Sequence, residues 1–325
     1  MHAAAINLRG GVAPKTTRLR GQGLIEYVLI AAVIGLVVVF AGPQVSSAIR
    51  NQFNQVSTTL DGGTGGGIAG GASGGGSAGT DSATVQAAIA KDAKDWTLDE
   101  QKAVAEDIAV KGEASSVYAK AKAAMDAGTT WSVKLTNGET MAYRIIGINH
   151  DDLADGSGKA GLTFEATNGA LGQRWMNSDI LQTGGWRDAD LRSDLNSYYM
   201  WKELPNELKD CMETVAKLTY NPDDLTSFDP DGGVNGSPSA TYDKVFLLSS
   251  TELWGDTGSD GTQYEFYASK GVSTSSYDGA SSECRHWTRS VSPYSSKTFQ
   301  YAASSGKPSA ERSSSEVYVF PAWCF

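Results

Sequence analysis

The sequence is poor in cysteine: three thiols in 325 residues exclude a disulfide-dense scaffold. It is also short of positive charge, with 27 Lys and Arg against 37 Asp and Glu, a net charge of -10 and a pI near 4.8. That balance excludes nucleic acid as the main partner, because neutralising a phosphate backbone needs clustered cations. No carboxylate pair, phosphate-cradling loop or Ser-His-Asp set stands out, and no repeat of fixed period is visible. Neither a cofactor nor a catalytic group is implied. Asp229-Pro230-Asp231-Gly232 begins like a calcium loop, but its sixth and twelfth positions are Val234 and Ala240, where an EF-hand needs Gly and Glu. His150-Asp151-Asp152 with Asp155 reads as turn-capping acids beside glycine rather than as a metal cluster.

What is present begins with a basic leader. Residues 1–21 carry Arg9, Lys15, Arg18 and Arg20 and no acid. An uncharged run from Val28 to Gly42 follows, and Gln22 to Gly42 as a helix would match a hydrocarbon core. A secretory signal peptide places its cleavage site after the apolar stretch, whereas Arg20-Gly21 lies before it. Glu26 is a carboxylate at membrane depth, which is costly in lipid and marks function. Positive charge ahead of the run keeps the leader cytoplasmic and sends the rest outside. Val45, Ile49, Phe53, Val56 and Leu60 form one helical stripe suited to packing on other subunits.

Gly21-Gln22-Gly23-Leu24-Ile25-Glu26-Tyr27 resembles the prepilin-peptidase motif of type IVb Flp (Tad) pilins. The resemblance covers residues 15–60. It implies cleavage by a prepilin peptidase between Gly21 and Gln22, residence in the cytoplasmic membrane, and then assembly into a fibre with other pilin subunits. Glu26, followed by Tyr27, would meet a neighbour's N-terminal amine, since two buried charges tolerate low dielectric only together. Flp pilins are usually far shorter, so a large outer domain favours a minor or tip subunit.

Residues 61–82 hold 11 glycines between Asp61 and Thr80 and read as a flexible linker that cannot form a core. A helical lead-in spans 83–128. Thr97-Leu98-Asp99-Glu100 is a capping box opening a helix with Val104 and Ile108 on one face, and Gly112 interrupts it. Val117, Ala121 and Met125 mark a second helix, stopped at Gly128.

From 129 to 325 the pattern changes. Trp131–Leu135 and Met141–Ile145 alternate around Asn137-Gly138, which signals a hairpin with a type I′ turn. Leu191, Leu195 and Tyr198 form one helical stripe, and Leu208, Cys211, Val215 and Leu218 another. Short strands are expected at Lys244–Leu248, Tyr264–Tyr267, Arg285–Arg289 and Glu316–Phe320, giving an α+β domain.

Arg144–Leu153, Gly185-Trp186 with Leu191-Arg192 and Leu195-Asn196, Asp243–Ser249, Gly261–Glu265, Trp287–Ser290 and Phe320–Cys324 resemble an uncharacterised domain of bacterial surface proteins. That domain is similar to the C-type-lectin-like fold shared with formylglycine-generating enzymes and with retroelement-diversified variable proteins. The resemblance implies a domain displaying its binding surface near the C-terminus. The Glu-Pro-Asn and Gln-Pro-Asp triplets of calcium-dependent sugar-binding lectins are absent. A formylglycine-generating enzyme would need a reactive pair, for which Cys284 and Cys324 are the candidates. Cys284 with His286 also has the spacing of a nucleophile pair on a strand. The favoured alternative for Cys284 and Cys324 is a disulfide in an exported domain, or plain buried thiols.

Ser290–Ser315 contains ten serines with Tyr294, Phe299 and Tyr301 between apolar flanks. Ser and Tyr on rigid flanks is paratope-like chemistry. Tyr294, Ser295, Ser296, Phe299 and Tyr301, with Arg312 as a polar anchor, are therefore the expected ligand contacts, and Trp186, Trp287 and Trp323 the expected framework. The whole reads as a pilin-anchored adhesin for a surface glycan or protein, displayed outside the cell. Its rivals are a structural pilus spacer and an extracellular formylglycine-generating-type enzyme.

Overall fold

Ser82 caps the first described helix, its hydroxyl accepting the Val85 N–H at 3.3 Å. In this computed structural model the described residues are 81–179, 184–222, 228–229, 233–234, 238–255, 260–293, 295 and 297–325. All fall within the unit Gly66–Phe325. Helix α1 (Ala83–Ala90) leads through a short 3₁₀ turn to α2 (Leu98–Lys111), where Thr97 and Glu100 form the expected capping box. Gly112 ends α2 at φ 57°. Helix α3 (Tyr118–Ala127) stops at Gly128 in the left-handed conformation. These helices belong to the same core as the rest: Trp96 stacks on Trp131, with ring centroids 6.2 Å apart.

Two five-stranded sheets follow. The first has the order β1 (Thr130–Lys134), β2 (Thr140–Ile148), β3 (Leu162–Ala166), β14 (Ala322–Cys324), β9 (Val245–Phe246), and every pair is antiparallel. The second has the order β12 (Pro308–Arg312), β11 (Thr298–Ala302), β10 (His286–Val291), β13 (Val317–Tyr318), β4 (Gln173–Arg174), with β10 and β13 parallel. Between β4 and β9 lie α4 (Asp190–Ser197), α5 (Tyr199–Glu203), α6 (Asn206–Lys209), a ribbon of β5 (Val215–Thr219) with β8 (Ser239–Asp243), and the short pair β6 (Phe228–Asp229) and β7 (Gly233–Val234). Helices α7 (Ser250–Trp254) and α8 (Glu265–Ser269) precede β10. Trp186, Trp287 and Trp323 are fully buried, as a framework requires.

The class is α+β, but the finer expectation needs correction. No helix among the described residues is long and apolar enough to cross a membrane, so the long pilin-type helix expected over 22–60 has no counterpart among them. The leader, the cleavage pair Gly21 and Gln22, the assembly pair Glu26 and Tyr27, and residues 61–80 of the linker lie outside the described residues. The linker expectation also ran too far, because Asp81 is already fixed by Lys111 at 2.7 Å. The hairpin at 131–145 is present, but of its central residues only Gly138 has positive φ, at 93°. Gly138 N–H closes a turn on the Leu135 carbonyl and Leu135 N–H reaches Glu139, a longer loop than type I′. Tyr264–Tyr267 turns into α8 rather than a strand, with Tyr264 and Tyr267 both facing inward. The stripe Leu208–Leu218 divides into α6 and the strand β5.

Candidate functional site

The Ser290–Ser315 segment is not one irregular loop. It forms the meander β10–β11–β12, with register Phe299↔Glu311 and Tyr301↔Ser309. Phe299 is fully buried, because alternation along β11 turns it into the core, so its expected role as a ligand contact is corrected. Tyr301 is half-buried, edge-on to Trp287 at 6.4 Å, with the Arg285 guanidinium 5.5 Å from its ring. Arg312 is exposed at the end of β12 and Ser295 half-buried, while Tyr294 and Ser296 lie outside the described residues.

Cys284 and Cys324 are free, which corrects the disulfide. Cys324 is fully buried in β14, its Sγ 3.4 Å from both Thr163 Oγ1 and Asp151 Oδ2. Burial pushes both thiols up. His286 Nδ1 lies 3.4 Å from the Cys284 carbonyl and 3.3 Å from Ser282 Oγ, so it holds the backbone rather than activating the thiol. Among the acids beside His150, Asp155 caps a turn by accepting Ser157 N–H at 2.9 Å.

At the junction of the two sheets and the ribbon sits a closed ionic network. Lys217 on β5 contacts Asp151, Glu252 at 2.6 Å and the Tyr264 hydroxyl at 3.0 Å, which uses its three donors. Arg289 on β10 grips both oxygens of Glu252, Nη2 to Oε1 at 2.8 Å, and donates to Thr219 Oγ1 and the Leu247 and Leu218 carbonyls. All four charged residues are buried. Burial alone would neutralise Asp151 and Glu252, but the neighbouring cations outweigh it and hold both carboxyls down. With every charge matched and hydrogen-bonded, this centre ties distant segments together.

A different place carries exposed chemistry. Six large hydrophobic residues are exposed among the described residues, and three of them, Trp175, Tyr198 and Tyr199, line one cleft of about 470 Å³. Trp175 follows β4, whose sheet-edge position is fixed by the Trp287 indole on the Arg174 carbonyl at 2.8 Å. Met176 and Asn177 N–H groups bond the Ser313 carbonyl, turning the chain inward just past Trp175. Opposite, α4 buries Leu191 and Leu195, which leaves Asp190, Ser193 and Asp194 on the cleft side.

Tyr198 would extend that apolar stripe, but the helix breaks there at φ -115°, ψ -123°. Asp194 holds the break, its Oδ1 accepting Tyr199 N–H at 2.7 Å and Met200 N–H at 3.2 Å. Met200 is buried in their place, and Tyr198 and Tyr199 stand 59% and 72% exposed. Asp194 also pairs with Arg174 at 3.5 Å, while Asp190 Oδ2 accepts Ser178 N–H at 2.7 Å. Neither Trp175, Tyr198 nor Tyr199 meets another ring, and the Ser178 and Ser193 hydroxyls have no protein partner among the described residues. None of these was expected from sequence. The available signal was the run Tyr198-Tyr199-Met200-Trp201, too aromatic for one buried face.

Over residues 150–324 the chain matches the family model described as Domain of unknown function (DUF6273). The chain belongs to this family. Its matched region contains the aromatic cleft, the four charges of the ionic centre, the whole second sheet, and β3, β14 and β9 of the first sheet, whereas β1 and β2 precede it. No curated protein and no solved structure matches the chain, so the C-type-lectin-like expectation finds no support and is set aside.

Proposed function

We propose that this DUF6273 chain is a surface adhesin whose cleft between Trp175, Tyr198 and Tyr199 takes a glycan. The observation that carries the reading is the gathering of three bare aromatic faces on one concave surface. A pyranose has an apolar C–H face and a polar edge. The first suits an aromatic platform, and the second suits the Ser178, Ser193 and Asp190 rim together with the indole N–H and phenol tips. Display outside the cell rests on the leader: cleavage by a prepilin peptidase after Gly21 would leave Gln22, Glu26 and Tyr27 to engage pilus subunits.

The test is a glycan array probed with the full-length chain and with a Trp175→Ala, Tyr199→Ala double variant. Truncating two exposed aromatic anchors should weaken any hit by tenfold or more, at about 2 kcal/mol per hot-spot residue. The melting temperature should hold, since neither ring packs in the core. Unchanged binding by the double variant would place recognition elsewhere.

A further inference from the structure

The same cleft carries a charge that its neighbours leave unmatched. Among the described residues Arg174 is the cleft's one cation, and it is committed to Asp194, whose other oxygen caps the start of α5. Asp190 is exposed at the first position of α4 and spends Oδ2 on Ser178 N–H, while Oδ1 makes no hydrogen bond or ion pair among the described residues. The positive end of α4 is thus already covered by a carboxylate, and the balance of the cleft is one negative charge. Beside it stand three exposed aromatic rings without ring partners among the described residues, and an aromatic face carries negative quadrupole. Aromatic faces with a nearby carboxylate are the chemistry that attracts an ammonium group. A chain of net charge -10 also steers cations toward its surface.

Resting on the glycan reading above, we infer that the sugar held in this cleft is an amino sugar with a free, protonated amine. The ammonium lies against the aromatic faces and within reach of Asp190 Oδ1, while the ring hydroxyls meet the serine rim. N-acetylation removes the charge and adds bulk where the ammonium sits, so it works against binding on both counts.

Calorimetric titration of the full-length chain in a mild detergent, at about pH 6 where a sugar amine is protonated, decides the matter. The probes are a β-1,4-linked glucosamine tetramer, its fully N-acetylated counterpart, the corresponding glucose tetramer and a short lysine peptide. The glucosamine tetramer should bind about tenfold more tightly than either neutral sugar. Asp190→Asn, which keeps an oxygen for Ser178 N–H, should erase that preference, so that the glucosamine tetramer binds this variant no more tightly than the neutral sugars do. Equal affinity for charged and neutral tetramers overturns the amino-sugar inference while leaving a glycan cleft. Preference for the lysine peptide over every sugar, or no sugar binding at all, overturns both.

Discussion

His286 lies flat on Phe320, the rings 4.1 Å apart and parallel within 1°, and burial pushes its pKa down to about 4. His150 differs. Burial would lower it too, but the Glu265 hydrogen bond at 3.1 Å and the Asp151 charge outweigh burial and Lys217 and raise it. His150 also packs on Tyr264 and faces the Thr262 carbonyl, with Lys159 bonded to its own carbonyl. The signs follow from linkage. Below about pH 6.5 the unfolded chain protonates at residue 286 and the folded one does not, so stability falls from there toward about pH 4. His150 contributes stability that is present at low pH and lost as pH rises through its raised value. The depression at His286 corresponds to about 3 kcal/mol at most. His286→Phe keeps the stack and should flatten the stability profile between about pH 6.5 and 4, as urea midpoints measure. An unchanged slope would assign the acid sensitivity to other groups.

Local chemistry explains which elements could be read in advance. The capping box at Thr97 and Glu100 and the stop at Gly128 depend on neighbours within one turn, and both were legible. Val215–Thr219 was not, because its inward residues are Val215, Lys217 and Thr219. A lysine in an inward position breaks any apolar pattern and makes sense only beside Asp151 and Glu252, far away in sequence. The aromatic cleft was missed for a related reason. Tyr198 continues the period of Leu191 and Leu195, and only the helix break held by Asp194 turns it out. Gly161 shows a constraint of the same long-range kind. A Cβ there would lie 1.8 Å from the Ala105 carbonyl oxygen in α2, and backbone on both sides cannot yield. Gly161→Ala should cost about 3 kcal/mol by overpacking. Gly138→Ala, with open space but φ 93°, should cost only about 1 kcal/mol of strain. Chemical denaturation compares the two, and a smaller loss at Gly161 would mean that α2 can shift.

At the scale of the molecule, the lead-in helices, both sheets and the ribbon draw on one core among the described residues, and the ionic centre joins the two sheets to the ribbon. Glu252 serves three parts at once: Lys217 on the ribbon, Arg289 on the second sheet, and the Ser249 cap of its own helix at 2.9 Å. Glu252→Gln keeps the shape but takes the one carboxylate that touches both cations, leaving Lys217 on Asp151 and Arg289 with no carboxylate in its grip. Unpaired buried charge typically costs about 3–5 kcal/mol, so the variant should unfold at much lower urea. A loss under about 1 kcal/mol would show that the cations find other partners. The sequence alone does not announce this centre, since buried Lys, Glu and Arg are rare and their pairing is invisible until the chain is folded.

The first sheet is joined through its middle by β14, whose Cys324 lies beside Thr163 although 161 residues separate them. As the polypeptide emerges from a ribosome, β3 and β9 each present an open edge toward the place β14 will take. They remain so until residues 322–324 arrive between them. Open edges recruit stray strands, and long-range pairing is slow. The first sheet of a chain made in this order therefore stays unfinished until β14 arrives, and shielding its edges until then falls to whatever attends the chain.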